Sequence, residues 1–176
     1  MTIKTYPYRP GGFTLIEVLI VLALIGVMTA IAVPSMARYV NNAKVSGAAT
    51  EMLYGLRAAR SQAMATGNVV TFCAASAANS STCNTSGTAD WANGWIMFST
   101  KGGTASEDKR SNQIKGMTIT SSQTTVNALT FAAGIGSTST LTFTLCKTGA
   151  GSSTPGRQIV VGTNGKAVIK TYNTCT

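Results

Sequence analysis

From residue 13 to residue 33 the chain is apolar almost without a break, and Glu17 is the only charged residue between Phe13 and Met36. A run of that length predicts a helix able to cross a bilayer. The pattern then changes. Val45, Ala48, Ala49, Met52, Leu53, Leu56, Ala59 and Ala63 recur at steps of three and four, the period of a helix with one apolar face. Arg38, Lys44, Glu51, Arg57 and Arg60 fall mostly off that stripe. The two stretches read as one long helix over residues 13–65, stopped by Gly67-Asn68. The stripe is expected to cover the domain's own sheet.

Beyond residue 68 the apolar positions come in short runs separated by Gly, Ser, Thr and Asn, which predicts strands and turns. The runs are residues 69–74, 117–120, 126–131 and 140–146. A polar loop is expected over residues 75–89 and a solvated charged loop over residues 101–115. Trp91 to Phe98 is the most aromatic stretch. It reads as a turn feeding a core strand, with Trp95 and Met97 on one side and Ile96 and Phe98 on the other. The other reading is a platform on which bases or sugars stack. The expected fold is α+β: a long helix packed on an antiparallel sheet, or on two small sheets.

The strongest hairpin signal is Asn164-Gly165, between residues 158–163 and 166–170. A two-residue type I′ turn suits Asn-Gly. It would set Thr163 opposite Lys166, Val161 opposite Val168, Ile159 opposite Lys170 and Arg157 opposite Tyr172. Arg157, Lys166, Lys170 and Tyr172 would then share one face with Ile159, Val161 and Val168, leaving Val160, Ala167 and Ile169 on the other. Such a face could hold phosphates through its cations. Its aliphatics would equally suit packing against the domain, with the lysine stems at the rim.

Charge and cysteines sharpen the picture. The chain has 176 residues, with 14 basic and 5 acidic side chains. That length suits one membrane helix and one small domain. The positive excess favours polyanionic partners such as DNA or anionic surfaces. Cys73, Cys83, Cys146 and Cys175 make an even count, which in an exported domain predicts disulfides in one of three connectivities. Cys73–Cys83 with Cys146–Cys175 is favoured, because it closes one short and one medium loop and staples the C-terminal end. With no His and no Cys-x-x-Cys, zinc is a poor fit. The acids Glu17, Glu51, Asp90, Glu107 and Asp108 are scattered and offer no spaced acid/base pair. No catalytic residue, cofactor or metal site is expected.

Glu17 remains to be explained. A charge inside a bilayer-length helix costs roughly 3 kcal/mol on insertion scales and needs a cationic partner. A new α-amine at Phe13, made by cutting after Gly12, would supply one. Gly12-Phe13-Thr14-Leu15-Ile16-Glu17-Val18-Leu19, preceded by a short leader with Lys4 and Arg9, resembles the class III signal of type IV pilins and type II secretion pseudopilins. The resemblance implies that prepilin peptidase removes residues 1–12 and that Phe13 becomes the methylated N-terminus. It also implies that Glu17 pairs with a neighbouring subunit's N-terminus during filament assembly. Residues 13–36 would form the transmembrane and filament-core helix, 37–67 its amphipathic half, and 68–176 the β-rich domain.

Downstream, Leu56-Arg57-Ala58-Ala59-Arg60-Ser61-Gln62-Ala63, Val69-Val70-Thr71-Phe72-Cys73 and Trp91-Ala92-Asn93-Gly94-Trp95-Ile96-Met97-Phe98 resemble the FimT/GspH-like minor pilins and pseudopilins. FimT-like members bind DNA during uptake through a Gly-Arg-x-Arg stretch. Here Gly156-Arg157-Gln158-Ile159 matches its first Arg and not its second. The DNA-binding candidates are therefore Arg157, Lys166, Lys170 and Lys147.

The implied function is a minor pilin of a type IV pilus that binds double-stranded DNA without sequence preference for natural transformation. The alternative is a GspH-type pseudopilin of a type II secretion system without DNA binding. A membrane-anchored adhesin that binds glycans through Trp91 and Trp95 is a third reading. The implied partners are other pilin subunits, prepilin peptidase and, before assembly, the bacterial inner membrane. A single-pass topology would put the C-terminal domain in the periplasm, before transfer to an extracellular pilus or a periplasmic pseudopilus.

Overall fold

The structure, a computed structural model, describes residues 11–85, 87–134, 136–137, 139–149, 151 and 154–175. The leader residues Lys4 and Arg9 lie outside them. The chain divides into two compact units, residues 1–40 and 41–176, and helix α1 (Leu15–Thr66) contributes to both.

In the first unit the α1 side chains from Leu15 to Ile31 are exposed, among them Leu19, Leu22 and Ile25. This is the one helix, among the described residues, long and apolar enough to cross a membrane. Its start lies two residues later than the sequence pattern suggests, because Thr14 caps it rather than joins it.

In the second unit α1 lies on two antiparallel sheets. Every residue of the predicted stripe is buried: Val45, Ala48, Ala49, Met52, Leu53, Leu56, Ala59 and Ala63. The helix ends where Gly67, at φ 70°, donates its N–H to Ala63 O at 3.0 Å. A positive-φ glycine after the last turn satisfies an orphan carbonyl at little steric cost.

The first sheet contains β1 (Val69–Ala74), β2 (Trp95–Lys101), β3 (Thr104–Arg110), β5 (Ala128–Ala132) and β6 (Gly136–Ser137), in the order β3-β2-β1-β5-β6. The second contains β4 (Met117–Ser121), β7 (Leu141–Lys147), β8 (Thr154–Val161) and β9 (Ala167–Cys175), in the order β4-β7-β8-β9. Strand side chains alternate between faces. One face of the second sheet therefore sends Leu141, Phe143, Leu145, Ile159 and Val161 into the core that the α1 stripe covers.

Trp91 and Trp95 belong to that core. They are 1 % and 2 % exposed. Phe72 stacks on both, with ring centroids 6.0 and 4.9 Å apart, and Trp91 meets Phe143 edge-on at 4.7 Å. Met97 shares this core, while Ile96 and Phe98 pack on the other side with Cys73 and Ala75. The aromatic stretch is thus structural, and burial removes both indoles from any glycan or base platform.

Two expectations fail. Residues 101–115 are not simply a loop: β3 pairs with β2 from Ile96↔Arg110 to Lys101↔Thr104. All seven β3 side chains are exposed, so the strand is held by ladder bonds at a sheet edge and has no apolar signature. Charged edges of this kind resist edge-to-edge association.

The hairpin register is also off by one. The pairs are Val161↔Ala167, Val160↔Val168, Ile159↔Ile169, Gln158↔Lys170 and Arg157↔Thr171. The turn explains the shift. A type I′ turn needs positive φ at both central residues, yet of Asn164 and Gly165 only Gly165 has it, at 71°. Gly162 N–H donates to Lys166 O at 3.1 Å, closing a three-residue loop. Shifting the register by one moves each side chain to face a different partner and, on the far strand, the opposite surface.

Candidate functional site

Gly12 and Phe13 lie exposed ahead of α1. Thr14 and Glu17 form a reciprocal cap. Glu17 N–H donates to Thr14 Oγ1 at 3.3 Å, and Thr14 N–H donates to Glu17 Oε2 at 3.3 Å. This is a capping box, in which each side chain satisfies a free backbone donor at the helix start. Glu17 therefore has an intrachain partner. The Thr-x-x-Glu spacing carries that signal in the sequence.

The four candidate DNA-binding cations do not form one face. Arg157 aligns with Ile159 and Val161, both fully buried, on the core side of β8. Its guanidinium donates back to Gly156 O at 2.9 Å. Lys170 lies opposite Gln158 on the outer side, where Gln158 Nε2 donates to Thr144 Oγ1 at 3.2 Å. Tyr172, opposite Gly156, shares that outer side. Lys147 joins Tyr172, Thr118, Thr120 and Thr144 around a shallow cavity of about 270 Å³.

Lys166 belongs elsewhere. With Arg57, Arg60, Ser61 and Met64 it lines an open cleft of about 370 Å³ between α1 and the β8–β9 turn. Arg57 Nη2 donates to Ala167 O at 3.5 Å. The Arg60 side chain passes Gly165 so closely that a Cβ there would lie 3.2 Å from its Cδ and Nε. Arg60 Nε is buried and has no hydrogen-bond partner among the described residues. The turn itself is pinned, because Ser137 N–H donates to Thr163 O at 3.0 Å.

The disulfides are Cys73–Cys83 and Cys146–Cys175. The second joins β7 to β9, which β8 separates. It passes at Gly156, where a Cβ would fall 2.6 Å from Cys175 Sγ and 3.2 Å from Cys146 Sγ. The glycine before Arg157 thus has a structural reason to be glycine.

A family model described as Type II transport protein GspH matches residues 48–165. The chain belongs to the GspH family. A second model, the prokaryotic N-terminal methylation motif, matches residues 9–33 and spans Gly12, Phe13 and Glu17. No curated protein matches the chain. Two crystal structures of the type IV minor pilin FimU of Pseudomonas aeruginosa (strain PAO1) are similar in fold. The form in space group P21 has a TM-score of 0.57 at 20 % identity, covering 75 % of this chain and 95 % of FimU. The form in P65 gives 0.56 at 21 %, covering 74 % and 99 %.

This GspH-family chain is therefore a type IV pilin-like protein, a minor pilin or pseudopilin. Such proteins are structural subunits rather than enzymes. They associate with other pilin subunits and are processed by prepilin peptidase.

Proposed function

We propose that the chain is a minor pilin of a type IV pilus that also binds double-stranded DNA, without sequence preference, for uptake in natural transformation. Prepilin peptidase cuts after Gly12 and the new Phe13 amine is methylated. The subunit waits in the bacterial inner membrane with its C-terminal domain periplasmic. Glu17 then pairs with a neighbour's N-terminus as it enters the filament. The observation that carries the pilin reading is the methylation motif over residues 9–33, ahead of a long apolar helix. The likeness to FimU favours a pilus.

The DNA reading is supported by charge. Without Lys4 and Arg9 of the leader, 12 of the 14 basic side chains remain against 5 acids, and the described residues contain a single ion pair, Arg110–Glu107 at 3.4 Å. Free cations of this kind bind phosphates by releasing counterions, so affinity falls steeply with salt. Arg157, Lys147, Lys166 and Lys170 remain candidates, but as members of separate patches.

The family description, a type II transport protein, favours the second reading, a secretion pseudopilin without DNA affinity. The test uses full-length processed protein in non-ionic detergent, titrated with a random-sequence duplex from low to high salt. Binding that weakens with salt supports the DNA-uptake pilin. No binding at low salt removes the DNA role, and co-purification with pilus or secretion components then decides the machine.

A further inference from the structure

We propose that the cleft between α1 and the β8–β9 turn, lined by Arg57, Arg60 and Lys166, is where this protein grips the phosphodiester backbone. The inference rests on the DNA reading above and places its main contact away from the Gly156-Arg157 stretch.

The local fold assembles the three cations. Arg57 and Arg60 are one helical turn apart on α1, and residues at that spacing are neighbours on a helix surface. Lys166 reaches them because the three-residue turn is held in place by β6. Ser137 N–H holds Thr163 O, and Gly136 fits so tightly beneath the turn that a Cβ would lie 2.4 Å from Thr163 O. Gly165 takes the positive φ that closes the loop and leaves room for Arg60.

The charge there is unbalanced. No carboxylate lines the cleft among the described residues. Arg57 spends one weak bond on Ala167 O, and Arg60 Nε is buried without a hydrogen-bond partner among the described residues. Two guanidiniums and an ammonium held together without a counter-charge are most stable with an anion between them. Guanidinium forks match phosphate oxygens in geometry as well as charge. Ser61 adds a hydroxyl at the rim.

The walls suit a bulky polyanion rather than a small enclosed ligand. A second open cleft of about 300 Å³ lies beside the first, shares Arg60 and Met64, and is floored by Gly134 and Gly136. Gly134 and Gly136 add no side chains to that lining, which Ala132 and Asn164 complete. Arg157, by contrast, sits on the core side of its sheet and spends a donor on Gly156 O.

The experiment compares the full-length processed protein with an Arg57→Gln/Arg60→Gln/Lys166→Gln variant and a Lys147→Gln/Lys170→Gln variant. The probe is a random-sequence duplex, titrated against salt. The cleft variant should lose about tenfold or more in affinity, and its salt slope should fall by roughly 2 to 3, one per lost phosphate contact. The Lys147/Lys170 variant should change much less. An Arg57→Lys/Arg60→Lys variant, which keeps the charge, should retain most of the slope and separates lost contact from a damaged fold.

If the unsubstituted protein binds and the cleft variant binds with the same affinity and slope, the cleft is overturned while the DNA reading stands. If the unsubstituted protein does not bind at low salt, both fall. Equal loss of binding in the Gln and Lys variants, with a lowered melting temperature in both, would also overturn the site. Binding to phosphatidylglycerol vesicles but not to the duplex would assign the phosphate to a lipid surface and reject DNA.

Discussion

Gly55 of α1 lies flat against the indole of Trp95: a Cβ at residue 55 would fall 2.6 Å from Trp95 Cζ2. The missing side chain lets α1 approach the sheet closely enough to bury Trp95. Helix propensity and packing therefore make opposite demands at this position. Alanine gains about 1 kcal/mol over glycine in a helix, while overfilling a packed core costs about 1–3 kcal/mol. Packing should win, so Gly55→Ala is expected to lower the urea midpoint. Gly47, exposed on the same helix with nothing within 4 Å, should show the opposite sign, gaining up to about 1 kcal/mol as Gly47→Ala.

Gly156 performs a related service for the Cys146–Cys175 disulfide. An alanine Cβ would meet Cys175 Sγ and Leu145 O, both at 2.6 Å. Gly156→Ala should therefore leave a fraction of the protein with free thiols at Cys146 and Cys175, detected by alkylation and mass spectrometry. Cys73–Cys83 should remain closed in the same molecules. Cys146 and Cys175 are 29 residues apart, and a closed loop of that length stabilises by roughly 3–4 kcal/mol through the unfolded chain. Full closure in Gly156→Ala would show that the bridge does not need the glycine.

Much of this architecture is legible in the sequence, and the exceptions have a common cause. The α1 stripe is visible because one helix face meets one core, so period and burial coincide. β4 and β7 are visible because their alternation reports a single buried face, and β1 because its apolar run is buried on both faces. β3 is invisible because all its side chains are exposed, so no buried face marks it, and its ladder to β2 defines it. The hairpin register is missed because Asn-Gly permits two loop types, and the choice is tied to a contact with Gly136 and Ser137, far away in sequence. The same long-range contact brings Lys166 to Arg57 and Arg60. Local spacing grouped Lys166 with Arg157 and Lys170 instead.

That contact can be tested directly. Gly136 has φ 84°, and a Cβ there would lie 2.4 Å from Thr163 O and 2.7 Å from Asn164 C. Gly136→Ala combines backbone strain with backbone overlap, and neither neighbour is a flexible side chain. A loss of about 2 kcal/mol or more is expected. Hydrogen exchange should also accelerate at the Ser137 amide, whose bond to Thr163 O fixes the turn. An unchanged exchange rate there would mean that the turn is not anchored by β6.

Glu17 has two possible duties that a single substitution can separate. Its carboxylate closes a capping box with Thr14, and its place in the methylation motif implies pairing with another subunit's amine. Glutamine can complete a capping box as glutamate does, but carries no charge. If intersubunit pairing dominates, Glu17→Gln and Glu17→Ala should both fail to enter filaments, measured by immunoblotting sheared surface fractions. Thr14→Ala should lose about 0.5–2 kcal/mol of helix-start stability yet still enter, because the charge remains. If capping dominates, the ranking reverses: Glu17→Gln enters like the unsubstituted protein, while Glu17→Ala and Thr14→Ala are impaired together. The charge argument favours the first pattern. A lone carboxylate in a bilayer-length helix costs roughly 3 kcal/mol on insertion scales, more than an N-terminal cap returns.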